Sequence, residues 1–450
     1  MLRWAFGLGL VVMSLAAPFG ASGQDVESGG ALPTTVIPGI SNPYRVALQR
    51  FAADDRSGAS VEPVYTELAA ALEFAPGVKL VSDKAFLEPL RTTDFDAPAI
   101  ACDNWKASGA TFLIQGRLER ESGVREQRVL YRVWDIDLCR ERGEIGDVKA
   151  PDDRVWLMAR EIADAIVERI TGRRGVAATQ LAFISNEGGN RAVYVMEAVD
   201  GSRRRRVTTN DSINMFPDWS ADAQSLLYTS YRDGLADIWT LARGAGKAGR
   251  LLSLGEEFTG LERWRGVFGP GKDDVTFTMH RDRNTDIYIA RNSGREIQRL
   301  TTNDAIDLAP SWAPDGRRMV FVSDRTGTPQ LYILDTETGT EQRITYQGSY
   351  NASPAWSPTG EWIAYVARTG RANLELYLID PVSLYTYPLV LHERVDQDPT
   401  WSPDGRKVAF ASDRRGDRDI YTIDRDGQNL RRLTRGFGDC IGPSWARWID

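Results

Sequence analysis

Acidic and amide side chains recur at one place in this sequence. Asn214, Asp307, Asn351, Asp396 and Asp439 each stand three or four residues before the Pro of a Pro–X–Trp phrase. A second set, Asp233, Asp282, Asp324 and Asp413, follows the second apolar run of successive units. Carboxylates at a fixed separation could carry acid–base chemistry on a glycosidic bond. They could hold a cation, form a polar ring that meets a partner, or simply cap their own loops. Other chemistry is poorly supplied. The two histidines, His280 and His392, fall in different units at different places, and no His/Cys cluster has zinc spacing. No G-x-S-x-G elbow, P-loop or dinucleotide fingerprint occurs. The Asp of Trp401–Ser402–Pro403–Asp404–Gly405 is a turn residue. No catalytic residue, metal or cofactor is expected.

The elements that position these residues are repeats. The phrase reads Pro217–Asp218–Trp219, Pro310–Ser311–Trp312, Pro354–Ala355–Trp356, Pro399–Thr400–Trp401 and Pro443–Ser444–Trp445, with the last four tryptophans 44, 45 and 44 residues apart. Nine residues after each of the first four tryptophans comes an aromatic: Tyr228, Phe321, Tyr365 and Phe410. Counting back nine from Phe277 finds a degenerate copy at Phe268–Gly269–Pro270. Short apolar runs such as Asp286–Ile287–Tyr288–Ile289 alternate with turns such as Pro314–Asp315–Gly316, so strands are predicted throughout. A period near 45 with four strands per unit is the signature of a propeller.

The ends predict how the ring closes. Phe183 opens the first unit, yet Arg174 stands nine residues before it, and no strand follows Trp445. The segment at Trp445 is therefore expected to supply the inner strand of the first blade. That gives a six-bladed propeller over residues 177–450 with no exposed sheet edge. The tryptophans are expected between blades as core.

Before the propeller the chain divides into three parts. Residues 1–23 read as a secretory leader, with Arg3 before an apolar stretch and small residues near Gly23 and Gln24 for cleavage. No cysteine lies near the cut, so no lipid anchor is expected. Residues 24–43 form a flexible segment with one apolar island around Val36, Ile37 and Ile40. Residues 44–176 read as an α/β domain: strands at 44–51, 78–81, 111–118 and 129–138, and helices at 64–72, 104–108 and 155–170, with Gly172 as a C-cap. The three cysteines make no disulfide scaffold. Cys102 and Cys139 could pair in an oxidising compartment or stay as buried thiols. The formal charge is −7 and becomes one unit more negative when Arg3 leaves, which argues against nucleic acid as partner.

The chain as a whole resembles the TolB family of the Tol–Pal envelope system. The residues that carry this are Trp401–Ser402–Pro403–Asp404–Gly405 with Ser412–Asp413–Arg414 and Asp419–Ile420–Tyr421, and Ala107–Ser108–Gly109–Ala110 before a strand. Ile170–Thr171–Gly172 running into Ala182–Phe183–Ile184 adds to it. The resemblance implies a monomeric, periplasmic protein that is not an enzyme. It implies a propeller that binds the peptidoglycan-associated lipoprotein Pal at one mouth of its channel. It also implies an N-terminal segment that binds TolA, in the service of outer-membrane integrity and constriction at division. By position, the Pal-facing loops are those of Asn214, Asp307, Asn351, Asp396 and Asp439, and the TolA segment that of Val36, Ile37 and Ile40. Two other readings are kept: a propeller lyase or hydrolase acting on polysaccharide, and a sensor holding a small ligand or cation.

Overall fold

A computed structural model describes residues 43–53, 60–86, 94–120, 124–244, 249–250, 258, 260–369, 373–391 and 394–448. The leader, Val36, Ile37, Ile40 and His392 lie outside the described residues.

The N-terminal domain is a sheet with helices. Its parallel strands Val78–Leu80, Tyr44–Leu48 and Phe112–Glu119 lie side by side, and Glu126–Asp135 continues the sheet antiparallel. Gly146–Pro151 adds to that last strand. Its polar sequence carries little apolar signal, so only the tertiary pairing reveals it. Helix α1 (Glu62–Phe74) begins with a Pro in its first turn, where the missing N–H costs nothing. Helix α2 (Cys102–Ala107) is short, and helix α3 (Val155–Thr171) ends at Gly172 with φ 76°, a left-handed cap. Helices α1 and α3 pack against each other, and Leu68, Leu72, Ile162 and Ile166 on them are all fully buried. Cys102 and Cys139 form a disulfide.

The remainder is six four-stranded antiparallel sheets. Their inner strands are Ile441–Trp445, Asn214–Trp219, Arg263–Phe268, Asp307–Trp312, Tyr350–Trp356 and Asp396–Trp401, which we number as blades 1 to 6. Blade 1 is composite. Ile441–Trp445 pairs antiparallel with Gln180–Ser185, so the last strand of the chain completes the first sheet. Blade 3 keeps the architecture with Phe268 in place of Trp.

Two devices join the blades. Aromatic and aliphatic side chains of adjacent sheets share cores: Trp219, Tyr228 and Trp239 of blade 2 pack on Ala182 and Val193 of blade 1, and Leu227 and Ile238 of blade 2 pack on Phe277 and Tyr288 of blade 3. Such ring burial is the main stabilising term between small sheets that cannot bury both faces alone. At four of the six blade junctions the residue before the inner-strand aromatic adds a polar latch. The backbone N–H of Trp356 donates to Ser311 Oγ at 2.9 Å, that of Trp445 to Thr400 Oγ1 at 3.3 Å, that of Trp219 to Ser444 Oγ at 3.3 Å, and that of Phe268 to Asp218 Oδ2 at 2.9 Å. Where the X of Pro–X–Trp is Asp, Ser or Thr, it therefore accepts from the next blade round the ring.

The α/β domain sits against the propeller where the ring closes. Arg160 of α3 is 1% exposed and joins Glu67 of α1 to Glu197 and Asp200 of blade 1. Phe74, at the end of α1, packs on Trp445 with ring centroids 6.4 Å apart, and the ammonium of Lys407 lies 4.4 Å from its ring centre. Lys407 is wholly buried and paired with Asp424. All these contacts lie on the face made by the turns between strands one and two and between strands three and four. The opposite face is built from the inter-blade loops and the loops after second strands, and the contacts above between described residues do not reach it.

Candidate binding face and channel

Each inner strand has a buried residue at the position five before its aromatic. Asn214, Arg263, Asp307, Asn351, Asp396 and Cys440 occupy it, and all six are buried. Four members of the acidic and amide set named from sequence are thus buried. Asp439 is one residue out of register: the equivalent position in blade 1 is Cys440, a buried thiol whose pKa burial pushes up to about 11. Counting back five from each aromatic, rather than three from each proline, would have found the ring and its charge-reversed member, Arg263.

These side chains brace loops. The Arg325 guanidinium donates to Asp307, to Ser323 Oγ at 2.8 Å, and stacks 4.4 Å from the centre of Tyr332. Asn303 also donates to Asp307, at 2.6 Å. Burial nonetheless raises the Asp307 pKa, the lowering by these partners being smaller. Arg414 repeats the arrangement with Asp396 at 2.9 Å, Ser412 at 2.9 Å and the Tyr421 ring. In blade 3 the charges are exchanged, Arg263 donating to Asp237 of blade 2 at 2.7 Å. Amides replace the ions elsewhere: Asn214 donates to the Ser212 carbonyl at 2.8 Å and Asn351 to the Gln347 carbonyl at 2.9 Å. Asp439 takes a two-point bond from Arg418 at 2.6 and 2.5 Å. The second carboxylate set divides. Asp324 and Asp413 accept the Ile306 and Val395 N–H groups at 2.8 and 2.9 Å, while Asp233 and Asp282 are exposed. His280 bonds Thr285, at 3.1 Å, on its own hairpin. Among the described residues no three His, Cys, Asp or Glu gather as a metal site.

Three residues before each aromatic the strand bulges. Phe216, Arg265, Ala309, Ser353, Asp398 and Gly442 all have left-handed φ, between 47° and 58°, and the ladder slips register at each. In the five blades other than blade 1, where the residue is Gly442, the bulge re-aims one side chain. The wall so formed encloses a cavity of about 450 Å³ along the axis, with Phe216, Arg265, Asp398, Asp218 and Arg447 among its lining. Exposed apolar side chains stand on the loops of the mouth away from the α/β domain: Ile213 and Leu235 at 45% and Tyr346 at 65% exposure. Sequence reasoning named none of these, because exposure and channel position are tertiary facts.

This architecture matches a known family along most of its length. The TolB beta propeller domain matches residues 167–448, well over half of the chain. The chain belongs to the TolB family. Among its TolB relatives, Tol-Pal system protein TolB of Bordetella pertussis is 30% identical over 90% of this chain and 88% of that protein. Protein TolB homolog of Chlorobium luteolum is 33% identical over 75% of each. With Tol-Pal system protein TolB of Desulfosudis oleivorans the identity is 35%, over 52% of this chain and about half (51%) of that protein. The crystal structure of TolB from Acinetobacter baumannii shares the fold, with a TM-score of 0.77 over 91% of this chain and 98% of that one, at 22% identity.

Proposed function

We propose that this chain is a non-enzymatic periplasmic adaptor of the Tol-Pal system. Its propeller mouth holds Pal, and its N-terminal segment around Val36, Ile37 and Ile40 meets TolA. The family membership and the relatives' names support the system, and the leader supports the compartment. The observation that carries the docking role is the bracing of one face. The loops of Asn214, Asp307, Asn351, Asp396 and Asp439 are pinned from within by the bonds above, so the exposed Ile213 and Tyr346 stand on preorganised backbone. A docking surface that is already ordered loses little entropy on binding. The acidic set acts beneath the surface, not as the contact itself. A polysaccharide lyase or hydrolase would need disengaged carboxylates, and Asp307 and Asp396 are each held by an arginine.

Calorimetry with the soluble domain of Pal tests this. Binding by the leaderless chain is expected, weakened about tenfold or more by Ile213→Asp with Tyr346→Asp. Deleting residues 24–43 is expected to abolish TolA binding and spare Pal. A wild-type chain that binds neither partner would overturn the reading.

A further inference from the structure

The six bulge residues form a belt, and the order of blades round the ring sets opposites across the axis. Blade 3 faces blade 6, so Arg265 faces Asp398. Blade 2 faces blade 5, so Phe216 faces Ser353. All six blades share the bulge, so the backbone conformation only aims these side chains. What is particular to this chain is the identity of two of them.

Arg265 and Asp398 do not meet. No ion pair within 4.0 Å joins them, yet the charge of Asp398 reaches Arg265. The Arg265 guanidinium lies 5.5 Å from the centre of the Phe216 ring and donates no side-chain hydrogen bond to any described residue. Arginine carries five N–H donors in a rigid fork, and elsewhere in the propeller that fork is used, as at Arg325, Arg414 and Arg418. Asp398 takes only long bonds, from Ser353 at 3.5 Å and Gln397 at 3.3 Å. One level further along the channel Asp218 bonds the Phe268 N–H and lies near both Arg265 and Arg447. The lumen thus holds a cation and an anion opposed across a gap, with an aromatic wall beside the cation.

We propose that this belt is a binding site for a small zwitterion, a free amino acid or short peptide. Its carboxylate meets the Arg265 fork and its ammonium meets Asp398. The 450 Å³ lumen lies within the size range of small-molecule sites. A simple anion would satisfy Arg265 but face Asp398, and a simple cation the reverse. Only a ligand with both charges satisfies the two walls together, through charge-assisted hydrogen bonds at each end. This goes beyond the adaptor reading and does not depend on it.

The test uses the full leaderless chain and dialanine, followed by calorimetry and by chemical-shift changes. Binding is expected at millimolar dialanine. It is expected to fall at least about tenfold with N-acetyl-dialanine, which lacks the ammonium, and with dialanine amide, which lacks the carboxylate. Arg265→Gln is expected to remove the preference for dialanine over its amide, and Asp398→Asn the preference over the acetylated form. These ligand controls keep the test decisive if a variant folds poorly. No response to dialanine at about 10 mM, or equal binding of all three ligands, would overturn the site. Neither result bears on Pal, whose binding is measured separately.

Discussion

The indole N–H of Trp445 donates to Thr179 Oγ1 at 2.8 Å, joining residues 266 positions apart. Thr179 precedes the second strand of blade 1 and Trp445 ends its inner strand. One hydrogen bond therefore fastens the lead-in from the α/β domain to the strand that closes the ring. Trp448 adds a second fastening to the Gly175 carbonyl at 2.6 Å.

Trp445→Ala should cost about 3–5 kcal/mol, the usual penalty for emptying a buried aromatic site, because Trp445 is 6% exposed and also supports Phe74. Urea unfolding followed by circular dichroism checks this. Deleting residues 442–450 exposes a raw sheet edge and should unfold the propeller cooperatively. A truncated chain that melts like the parent would refute the closure.

Arg160 lies between three carboxylates in the domain junction. Arg160→Met leaves Glu197, itself buried, without its charge partner, a loss of about 3–5 kcal/mol. Adding Glu197→Gln should recover most of it, since the uncompensated charge and not the missing bond sets the cost. Equal stability of the single and double variants would place the effect elsewhere.

Asp164 of α3 accepts the N–H groups of Ala177 at 2.7 Å and Ala178 at 3.0 Å, in the linker to blade 1. Burial lifts its pKa to about 7 from 3.8; those two bonds and Arg174 act against the rise, and Asp404 adds to it. A carboxyl raised in the folded state binds a proton there that the unfolded chain releases. Its ionisation therefore costs stability as pH climbs from about 4 to 7, and the cost levels off above that. Wild type should lose on the order of 2–4 kcal/mol relative to Asp164→Asn across this window. Denaturant midpoints at a series of pH values decide it, and a pH-independent difference would show that Asp164 stays ionised in the fold.

Asp396→Ala should destabilise by about 3–5 kcal/mol, because it strands Arg414 in a buried site. Asp439→Ala, on a pair whose side chains are each 24% exposed, should cost about 1 kcal/mol or less. If Asp307 and Asp396 met a partner directly, alanine at either would lower partner affinity. Burial moves that expectation to fold stability, read as a fall in Tm without any partner present.

The disulfide closes a 37-residue separation, worth roughly 3–4 kcal/mol of chain entropy. Denatured protein should show one reactive thiol, Cys440, and three after reduction. Reduction should lower the melting temperature of the α/β domain first.

Repetition made the propeller legible. A period near 45, a tryptophan in register and turn residues at fixed offsets are local signals, and six consistent copies leave one architecture that buries every sheet. The amphipathic face of α3 and the cap at Gly172 are equally local, so the helix could be read to within a residue. Closure through Trp445 followed from counting, since one strand was missing at one end and one spare at the other. The roles of side chains were not local. Asp307 and Asp396 look from sequence like a polar ring, but whether a carboxylate faces a partner or an arginine 18 residues away depends on how four strands and a loop fold over it. Arg265 and Asp398 lie 133 residues apart and carry no motif. Only the ring of six blades places them opposite one another, because the angle between two side chains in a closed sheet stack is set by the number of blades between them.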